Sequence, residues 1–292
     1  MVWLFSPDIR RLKGKMEKLF FGTAGTPLGS KGTDSISGIR KVHELGLGCM
    51  ELEFVRGVKM GEKTALEVGK AAKELDVKLS VHAPYYINLN AEGEKLYASR
   101  ERIMDSARIG HICGAKSVVI HAAFYQGQPK RDVYERVRNQ FAGMCGELRD
   151  EGVDMTLRVE TMGRGSQFGS LEEVLEITEV EGVLPCIDFS HLHAINGRNN
   201  SEEEFAQILA KVEDKLGREG LNDMHIHVSG IKYSEKGEKN HLVFEESDFN
   251  YRELSKVFSD FAIKGLVICE SPNLETDALK LKKEYDRKHE NS

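Results

Sequence analysis

The feature that most constrains the fold of this chain is a regular alternation between short apolar runs and longer segments of helical period. Such alternation is typical of successive βα units around a parallel sheet. Eight apolar runs can be read along the 292 residues, at positions 19–23, 48–54, 77–82, 117–121, 155–160, 184–189, 224–228 and 266–270. Eight strands close a (β/α)8 TIM barrel of about 250 residues. The sequence therefore predicts an α/β protein with a single TIM barrel.

The segments between these runs carry the period of amphipathic helices. One segment places five apolar residues at steps of three or four: Val133, Val137, Phe141, Met144 and Leu148. These steps put all five side chains on one helical face. The segments at 205–212 and 274–285 repeat the pattern, so the chain is expected to end on a helix that covers the eighth strand.

No linker or low-complexity tract divides the chain after its first residues. Residues 1–18 are interpreted as a basic leader and residues 19–292 as one catalytic barrel domain. The alternative architecture is an open doubly wound sheet, whose nucleotide-binding versions carry a tight glycine fingerprint after the first strand. The stretch from Gly22 to Gly29 lacks that spacing and is interpreted as a loop.

Composition and charge argue against several classes of protein. A formal net charge of −6 argues against a generic basic nucleic-acid coat. The opening apolar stretch ends at Phe5, too early for a signal peptide or a membrane span, so a cytoplasmic protein with no membrane partner is expected. Five cysteines without a C-x-x-C pair argue against a disulfide framework.

Six potential metal donors stand at the ends of separate apolar runs. They are His82, His121, Glu160, Asp188, His225 and Glu270. The carboxyl ends of TIM-barrel strands converge on one face, so these side chains are expected to meet there. Six crowded imidazoles and carboxylates would repel one another or stay unpaired, and divalent cations are the simplest remedy. A packing or surface role explains any one histidine well, but it does not explain six donors in order.

The donor types restrict the metal. Nitrogen and oxygen ligands without cysteine suit zinc or manganese better than calcium or magnesium. Six donors exceed the three or four that one zinc ion takes, which favours two or more ions that share a carboxylate. Closely spaced divalent ions are suited to hydrolysing phosphate esters. They would also add about four to six positive charges to this face, against the acidic net charge.

Five strand-end motifs resemble those of a known family. They read VHAPYYINL from Val81, ETMGRG from Glu160, IDFSH from Ile187, MHI from Met224 and CESP from Cys269. Over roughly residues 20 to 285 the chain resembles endonuclease IV, a xylose isomerase-like TIM barrel. The resemblance implies a metal-dependent apurinic/apyrimidinic (AP) endonuclease of DNA repair. Such an enzyme hydrolyses the DNA backbone on the 5′ side of an abasic site by a metal-bound hydroxide.

The resemblance also implies a role for each matching donor. One ion would be held by His82, His121 and Glu160. A second would be held by Glu160, Asp188, His225 and Glu270, with Glu160 as the bridging carboxylate and Glu160 and Glu270 as the catalytic residues. The expected cofactor is therefore zinc, as two or three ions, with manganese as the alternative.

A third ion in this family is held by a histidine after strand six and by an Asp-x-His pair after strand seven. His191 and His241 match the two histidines, but Lys239 stands where the aspartate is expected. A shift by one residue would offer Glu238 instead. His227 lies two positions beyond the donor of strand seven, so the period of two aims it at the same face. Glu238 and His227 are thus additional candidate ligands.

Two further features of the sequence bear on the site. Tyr85, in the loop after strand three, matches a family side chain that occupies the gap left by the missing base, so the expected partner is duplex DNA with abasic sites. Glu51 and Glu53 alternate with Leu52 on strand two and point to one face, toward the barrel interior. Pairing with a basic group is the expected role of these carboxylates, and support of a metal ligand is the alternative.

Two other functions stay open at this stage. Related xylose isomerase-like barrels hold one divalent ion with His, Asp and Glu donors and act as sugar isomerases or epimerases, and fold alone does not exclude that activity. They need about four ligands and a base, whereas this chain also offers His82, His121 and His191. The third hypothesis, raised by Lys239, is a binding module that has kept the barrel and lost the complete cluster.

Overall fold

Eight parallel strands close a barrel in the computed structural model, which describes residues 16–289. Nearly all of the expected basic leader lies outside this range. The barrel strands are β1 (Leu19–Ala24), β2 (Cys49–Glu53), β3 (Lys78–His82), β4 (Ser117–Ile120), β5 (Thr156–Glu160), β6 (Val183–Asp188), β7 (Met224–Val228) and β8 (Gly265–Cys269). They are ordered around the barrel as in the chain, and β8 pairs with β1. The prediction of a single (β/α)8 TIM barrel is confirmed.

Helices separate the strands and cover the outside of the barrel. Within residues 16–289 they are α1 (Ser35–Glu44), α2 (Glu62–Glu74), α3 (Gly93–Ile112), α4 (Lys130–Asp150), α5 (Leu171–Glu176), α6 (Phe189–Ala194), α7 (Glu202–Leu221), α8 (Tyr251–Asp260) and α9 (Glu275–His289). Two short 3-10 turns follow α5 and precede α8, at Ile177–Glu179 and Phe244–Glu246. None of these helices is long and apolar enough to cross a membrane.

Two small antiparallel strand pairs lie in the loops after the barrel strands. Ala123–Phe124 pairs with Gln167–Phe168. Gly230–Ser234 pairs with Gly237–Leu242, and this pair is called the β7 hairpin below because it follows β7. Both pairs lie at the carboxyl end of the barrel, where loops of TIM barrels carry active sites.

The main core lies between the barrel and the helices. All five apolar residues that predicted α4 are buried, which confirms the helical face read from their spacing. The largest fully buried side chains include five phenylalanines, namely Phe141, Phe168, Phe189, Phe205 and Phe258. Burying one such side chain contributes roughly 1.5–3 kcal/mol relative to leaving it in water. The five cysteines are buried and free, in agreement with the expected absence of disulfides.

The barrel interior divides into an apolar part and a polar part. Its apolar part is a separate cluster around Phe20, Cys49, Leu266 and Ile268. The polar part contains contacts between strands that are not neighbours, such as Glu51 of β2 with His225 of β7. TIM-barrel interiors are usually filled by bulky branched side chains. The polar side chains here lie directly beneath the strand ends at which the metal donors were expected.

Gly22 corrects the expectation of a loop from Gly22 to Gly29. Gly22 lies inside β1, paired with Cys49 of β2 and Ile268 of β8. A Cβ atom added at Gly22 would lie 1.8 Å from the carbonyl oxygen of Cys49. Glycine is therefore needed for close strand pairing, and the loop begins only at Gly25, whose φ is +84°.

Candidate metal centre

The described residues contain five overlapping groups of potential donors, and three of them together hold all the donors at the carboxyl ends of the strands. The other two are His82, His227 and Glu270, which overlaps these, and Cys186, His225 and His227, which lies deeper in the barrel. Within each group the donor atoms lie within 4.8 Å of one another. The first group is His82, His121 and Glu160; the second group is Glu160, Asp188, His227 and Glu270; the third group is His191, Glu238 and His241. Glu160 belongs to two groups, which is the position required of a bridging carboxylate.

The first group is organised around one oxygen of Glu160. Glu160 Oε2 lies 2.9 Å from Nε2 of His121 and 3.3 Å from Nε2 of His82. His82 Nδ1 lies 2.7 Å from the carbonyl oxygen of Ala83, so this nitrogen carries the proton and donates it. A neutral imidazole has one N–H, so with that proton on Nδ1 the Nε2 lone pair of His82 would be available to a metal that took the place of the hydrogen bond to Glu160.

The second group contains buried polar atoms that lack hydrogen-bond partners among the described residues. They are Oε1 of Glu160, Oδ2 of Asp188 and Nδ1 of His227. His227 Nδ1 is 3.5 Å from Oε1 of both Glu160 and Glu270. Buried polar atoms without partners are rare and costly in native proteins. A divalent cation among these atoms would satisfy them, so the donor set fits a metal ion.

The start of α6 places Asp188 and His191 together. Asp188 is the N-cap of this helix, and its Oδ1 accepts a 2.7 Å hydrogen bond from the backbone N–H of His191. The cap uses one carboxylate oxygen and leaves Oδ2 facing the second group. The spacing D-x-x-H therefore arranges a helix start and two potential metal donors at once.

The third group joins α6 to the β7 hairpin. His191 Nδ1 lies 3.0 Å from the carbonyl oxygen of Thr161, and its Nε2 lies 3.6 Å from Oε2 of Glu238. His241 Nδ1 lies 3.2 Å from the carbonyl oxygen of Glu270. Each backbone carbonyl accepts a hydrogen bond from Nδ1–H, so in the neutral form both histidines would offer an Nε2 lone pair to the site.

A β-bulge explains why Glu238, rather than Lys239, joins the third group. In the β7 hairpin Tyr233 pairs with Glu238 and Lys232 pairs with Asn240, so Lys239 has no partner strand residue. The extra residue reverses the in-and-out alternation of the strand. Glu238 and His241 therefore face the same side, while Lys239 is exposed.

His225 does not take the place expected for it in the second group. The structure places His227 there, level with Asp188 of the neighbouring β6. His225 lies two residues earlier on β7, about 7 Å deeper in the barrel. Its Nε2 is 3.0 Å from Oε2 of Glu51 and its Nδ1 is 3.2 Å from Oγ of Ser117, so both ring nitrogens are already engaged.

Burial and charge act in opposite directions on the ionisable groups of the site. Burial alone would raise the pKa of Glu160, but the facing imidazoles, led by His121, hold that pKa well below its ordinary value. Burial raises the pKa of Asp188 to about 6. Burial would lower the pKa of His82, but the hydrogen bond to Glu160 and nearby carboxylates raise it to about 10. Cations and protons therefore compete for the same atoms.

Glu53, for which the sequence predicted pairing with a basic group or support of a metal ligand, lies beside His82 of the neighbouring strand. It is the last residue of β2, and burial raises its pKa to about 8 despite the opposing charge of His82. One of its oxygens, Oε1, is buried without a hydrogen-bond partner. Its position on the same strand face as Glu51 was readable from the sequence, but its approach to His82 was not.

Tyr85 stands at the edge of the first group. Its ring centroid is 5.1 Å from that of His82 and 5.2 Å from that of His121, and the residue is 46% exposed. An aromatic ring that is half in solvent beside the donors is placed to contact a ligand entering the centre.

The fold and these three groups define a (β/α)8 barrel with a histidine–carboxylate centre at the carboxyl ends of its strands. Residues 39–288 match the family described as xylose isomerase-like TIM barrel, and the chain belongs to that family.

Two curated relatives cover most of the chain. An uncharacterised protein of Methanocaldococcus jannaschii, MJ0133, is 43% identical over 270 residues, which is 92% of this chain and 97% of the relative. Endonuclease 4 of Thermus thermophilus is 27% identical over 217 residues, covering 70% of this chain and 76% of the relative.

Two solved structures, one of an endonuclease and one of an epimerase-like protein, have the same fold as this chain. Endonuclease IV from Thermus thermophilus superposes with a TM-score of 0.73 at 20% identity, over 94% of this chain and all of that one. A D-tagatose 3-epimerase-like protein superposes with a TM-score of 0.68 at 19% identity, over 87% of this chain and 95% of that one. Structures of an endonuclease and of an epimerase-like protein thus share this fold, and the fold does not separate the two activities.

Proposed function

We propose that this protein is a metal-dependent AP endonuclease that hydrolyses the DNA phosphodiester on the 5′ side of an abasic site. The observation that carries the proposal is the presence of three donor groups joined through Glu160 and the segment from Asp188 to His191. Zinc ions bound there would activate water and stabilise the charge on the phosphate and on the leaving oxygen.

The number of donors favours phosphodiester hydrolysis over sugar isomerisation. An isomerase or epimerase needs one divalent ion, and the second group alone offers four ligands for it. The pair His82 and His121 and the complete third group would then have no role. The epimerase remains the second candidate because its structural likeness is nearly as close as that of endonuclease IV.

Different residues of the chain would have different roles in the proposed reaction. Glu160 and Glu270 are the carboxylates placed to hold the charge of adjacent cations, and Glu160 does so for two groups. Asp188 and the N-terminus of α6 fix the distance between the second and third groups. Tyr85, beside the first group, is placed to contact the sugar or the gap at the damaged nucleotide.

Exposed cations around the same rim suit a phosphate backbone. Arg56 and Lys59 lie in the loop after β2, and Lys232 and Lys239 lie in the β7 hairpin. All four side chains are exposed, and none forms an ion pair within residues 16–289. Contacts to phosphates supply most of the non-specific affinity for DNA, so a locally basic rim offsets the acidic net charge.

The test uses a duplex with one tetrahydrofuran abasic analogue, which cannot undergo β-elimination. The metal-loaded protein is expected to nick this duplex and leave a 3′-hydroxyl end, and a chelator should stop the reaction. Glu160→Gln should lower the rate by at least a factor of about 100, because one change weakens two donor groups. Glu172→Gln, which alters an exposed glutamate of α5, is the matched control.

Three outcomes would contradict the proposal or its assignment of Glu160. Intact DNA in the presence of a fully metal-loaded protein would exclude the endonuclease under these conditions. Exchange of a substrate C–H proton with solvent on a ketose, dependent on the metal, would establish the epimerase instead. A Glu160→Gln protein that cleaved at the original rate would remove Glu160 from its assigned role.

A further inference from the structure

Glu51 is a buried carboxylate beneath the metal centre, and it faces His227, the residue that β7 contributes to the second group. Glu51 of β2 is fully buried, and its Oε1 lies 2.9 Å from Nε2 of His227. The contact crosses the barrel interior, because β1 and β8 lie between β2 and β7. We propose that Glu51 is a positioning residue that fixes which nitrogen of His227 is offered to a metal.

The two nitrogens of His227 face different neighbours. Nδ1 points to the second group, 3.5 Å from Oε1 of Glu160 and Oε1 of Glu270. Nε2 points down to Glu51, although its N–H bond is not aligned with the oxygen well enough to count as a hydrogen bond. A neutral imidazole carries one proton, and a carboxylate accepts protons only. The proton therefore belongs on Nε2, and Nδ1 keeps the lone pair.

Other contacts hold Glu51 in place. Its Oε2 accepts a 2.7 Å hydrogen bond from Oγ of Ser80 and lies 3.0 Å from Nε2 of His225. His225 is in turn held by Oγ of Ser117, 3.2 Å from its Nδ1. With Oε2 occupied from two sides, Oε1 is directed to His227. His225, which the sequence suggested as a metal ligand, thus supports the carboxylate of Glu51, and Glu51 in turn orients His227.

Burial makes this arrangement specific. Burying a carboxylate fully in the barrel interior costs much more free energy than burying an apolar side chain, unless fixed partners compensate its charge. The strand neighbours of Glu51 are Ala24 and Ser80, neither of which is charged, and its ion pairs among the described residues are with His225 and His227 of β7. Carboxylates that hold the remote nitrogen of a histidine ligand typically change metal affinity by about 10- to 100-fold when they are replaced.

The inference rests on the metal centre of the proposed function and is independent of the substrate. Its test is therefore a zinc titration against a competing indicator, in the full chain, with no DNA present. Glu51→Gln keeps the shape of the side chain and removes its charge. It should lower the affinity for one zinc ion by about 10- to 100-fold. Ser106→Ala removes a fully buried hydroxyl of α3, which donates to the carbonyl oxygen of Arg102 and has no part in the contacts of Glu51, and it should leave zinc affinity unchanged.

Nitrogen-15 NMR of histidine in the zinc-loaded native protein supplies a readout that does not need a variant to fold. The proposal requires His227 to carry its proton on Nε2 and the metal on Nδ1. A folded Glu51→Gln protein with native zinc affinity, or a proton on Nδ1 of His227, would overturn it. Replacing zinc by cobalt gives a further check: a thiolate-to-cobalt absorption band would place an ion deeper, at Cys186, His225 and His227, and would also overturn it.

If the zinc titration behaves as expected and the abasic duplex stays intact, Glu51 retains its positioning role and only the proposed substrate fails. If the duplex is cleaved and Glu51→Gln binds zinc normally, the proposed function stands and the role of Glu51 fails. The two proposals are thus decided by separate measurements.

Discussion

The ion pair at the bottom of the barrel interior gives the sharpest stability prediction. Arg158 of β5 is nearly fully buried, and its Nη2 lies 2.9 Å from Oδ1 of Asp223, just before β7. Within the described chain the guanidinium also donates a hydrogen bond from Nη1 to the carbonyl oxygen of Pro185, and Nε has no partner. Asp223→Asn would therefore leave a buried cation without its counter-charge.

The expected cost follows from burial. Breaking one partner from a buried pair costs about 3–5 kcal/mol, and the lower end applies because the Asp223 side chain is 22% exposed. The entropy of unfolding is about 2.1 cal/mol/K per residue, which for 292 residues is about 0.6 kcal/mol/K. A loss of about 3 kcal/mol should thus lower the melting temperature by about 5 °C.

The assay is thermal unfolding followed by circular dichroism in the presence of a chelator, because bound metal would add its own stabilisation. Asp154→Asn is the matched control, since Asp154 is 62% exposed and pairs with Lys116 at 3.6 Å on the surface. The control should change stability by no more than about 0.5 kcal/mol. If Asp223→Asn melted within about 1 °C of the native protein, the pair would not be compensating a buried charge.

Two further predictions test the third group and the barrel seam. Glu238→Gln should lower the zinc content by one ion per chain, as measured by elemental analysis. Lys239→Ala should leave the zinc content unchanged because that side chain faces solvent. An equal loss of zinc in both variants would contradict the conclusion that the bulge selects Glu238 as the donor. Gly22→Ala should abolish folding or lower stability severely, because the added Cβ would lie 1.8 Å from the backbone of β2. Gly146→Ala on α4, where no atom lies within 4 Å of the added Cβ, should raise the free energy of unfolding by up to about 1 kcal/mol in denaturant titrations.

The local pattern of the chain was enough to establish the barrel. Eight apolar runs between helical segments predicted all eight strands, and the spacing of Val133 and Phe141 predicted α4 and its buried face. Periodicity is a local property, because alternate residues of a strand face opposite sides and every third or fourth residue of a helix shares a face. The rule that strand ends converge then predicted that His82, His121 and Glu160 would meet.

Depth within the barrel was not available from the sequence. His225 and His227 share a strand face, so a period of two cannot say which of them reaches the rim. Pairing with β6 decides it, because His227 lies level with Asp188 while His225 lies about two residues deeper. Strand register depends on contacts between segments that are far apart in the chain, and no local pattern records it.

The third group and the support of His227 were likewise decided by tertiary structure. One unpaired residue in the β7 hairpin turned Glu238 inward and Lys239 outward, which reverses the assignment that simple spacing gave. The sequence predicted that Glu51 faces the barrel interior, but its contact with His227 spans 176 positions and exists only because the sheet closes on itself. The sequence by itself thus determined that donors from several strands approach one rim, and closure, register and a bulge determined which residues and which of their atoms meet there.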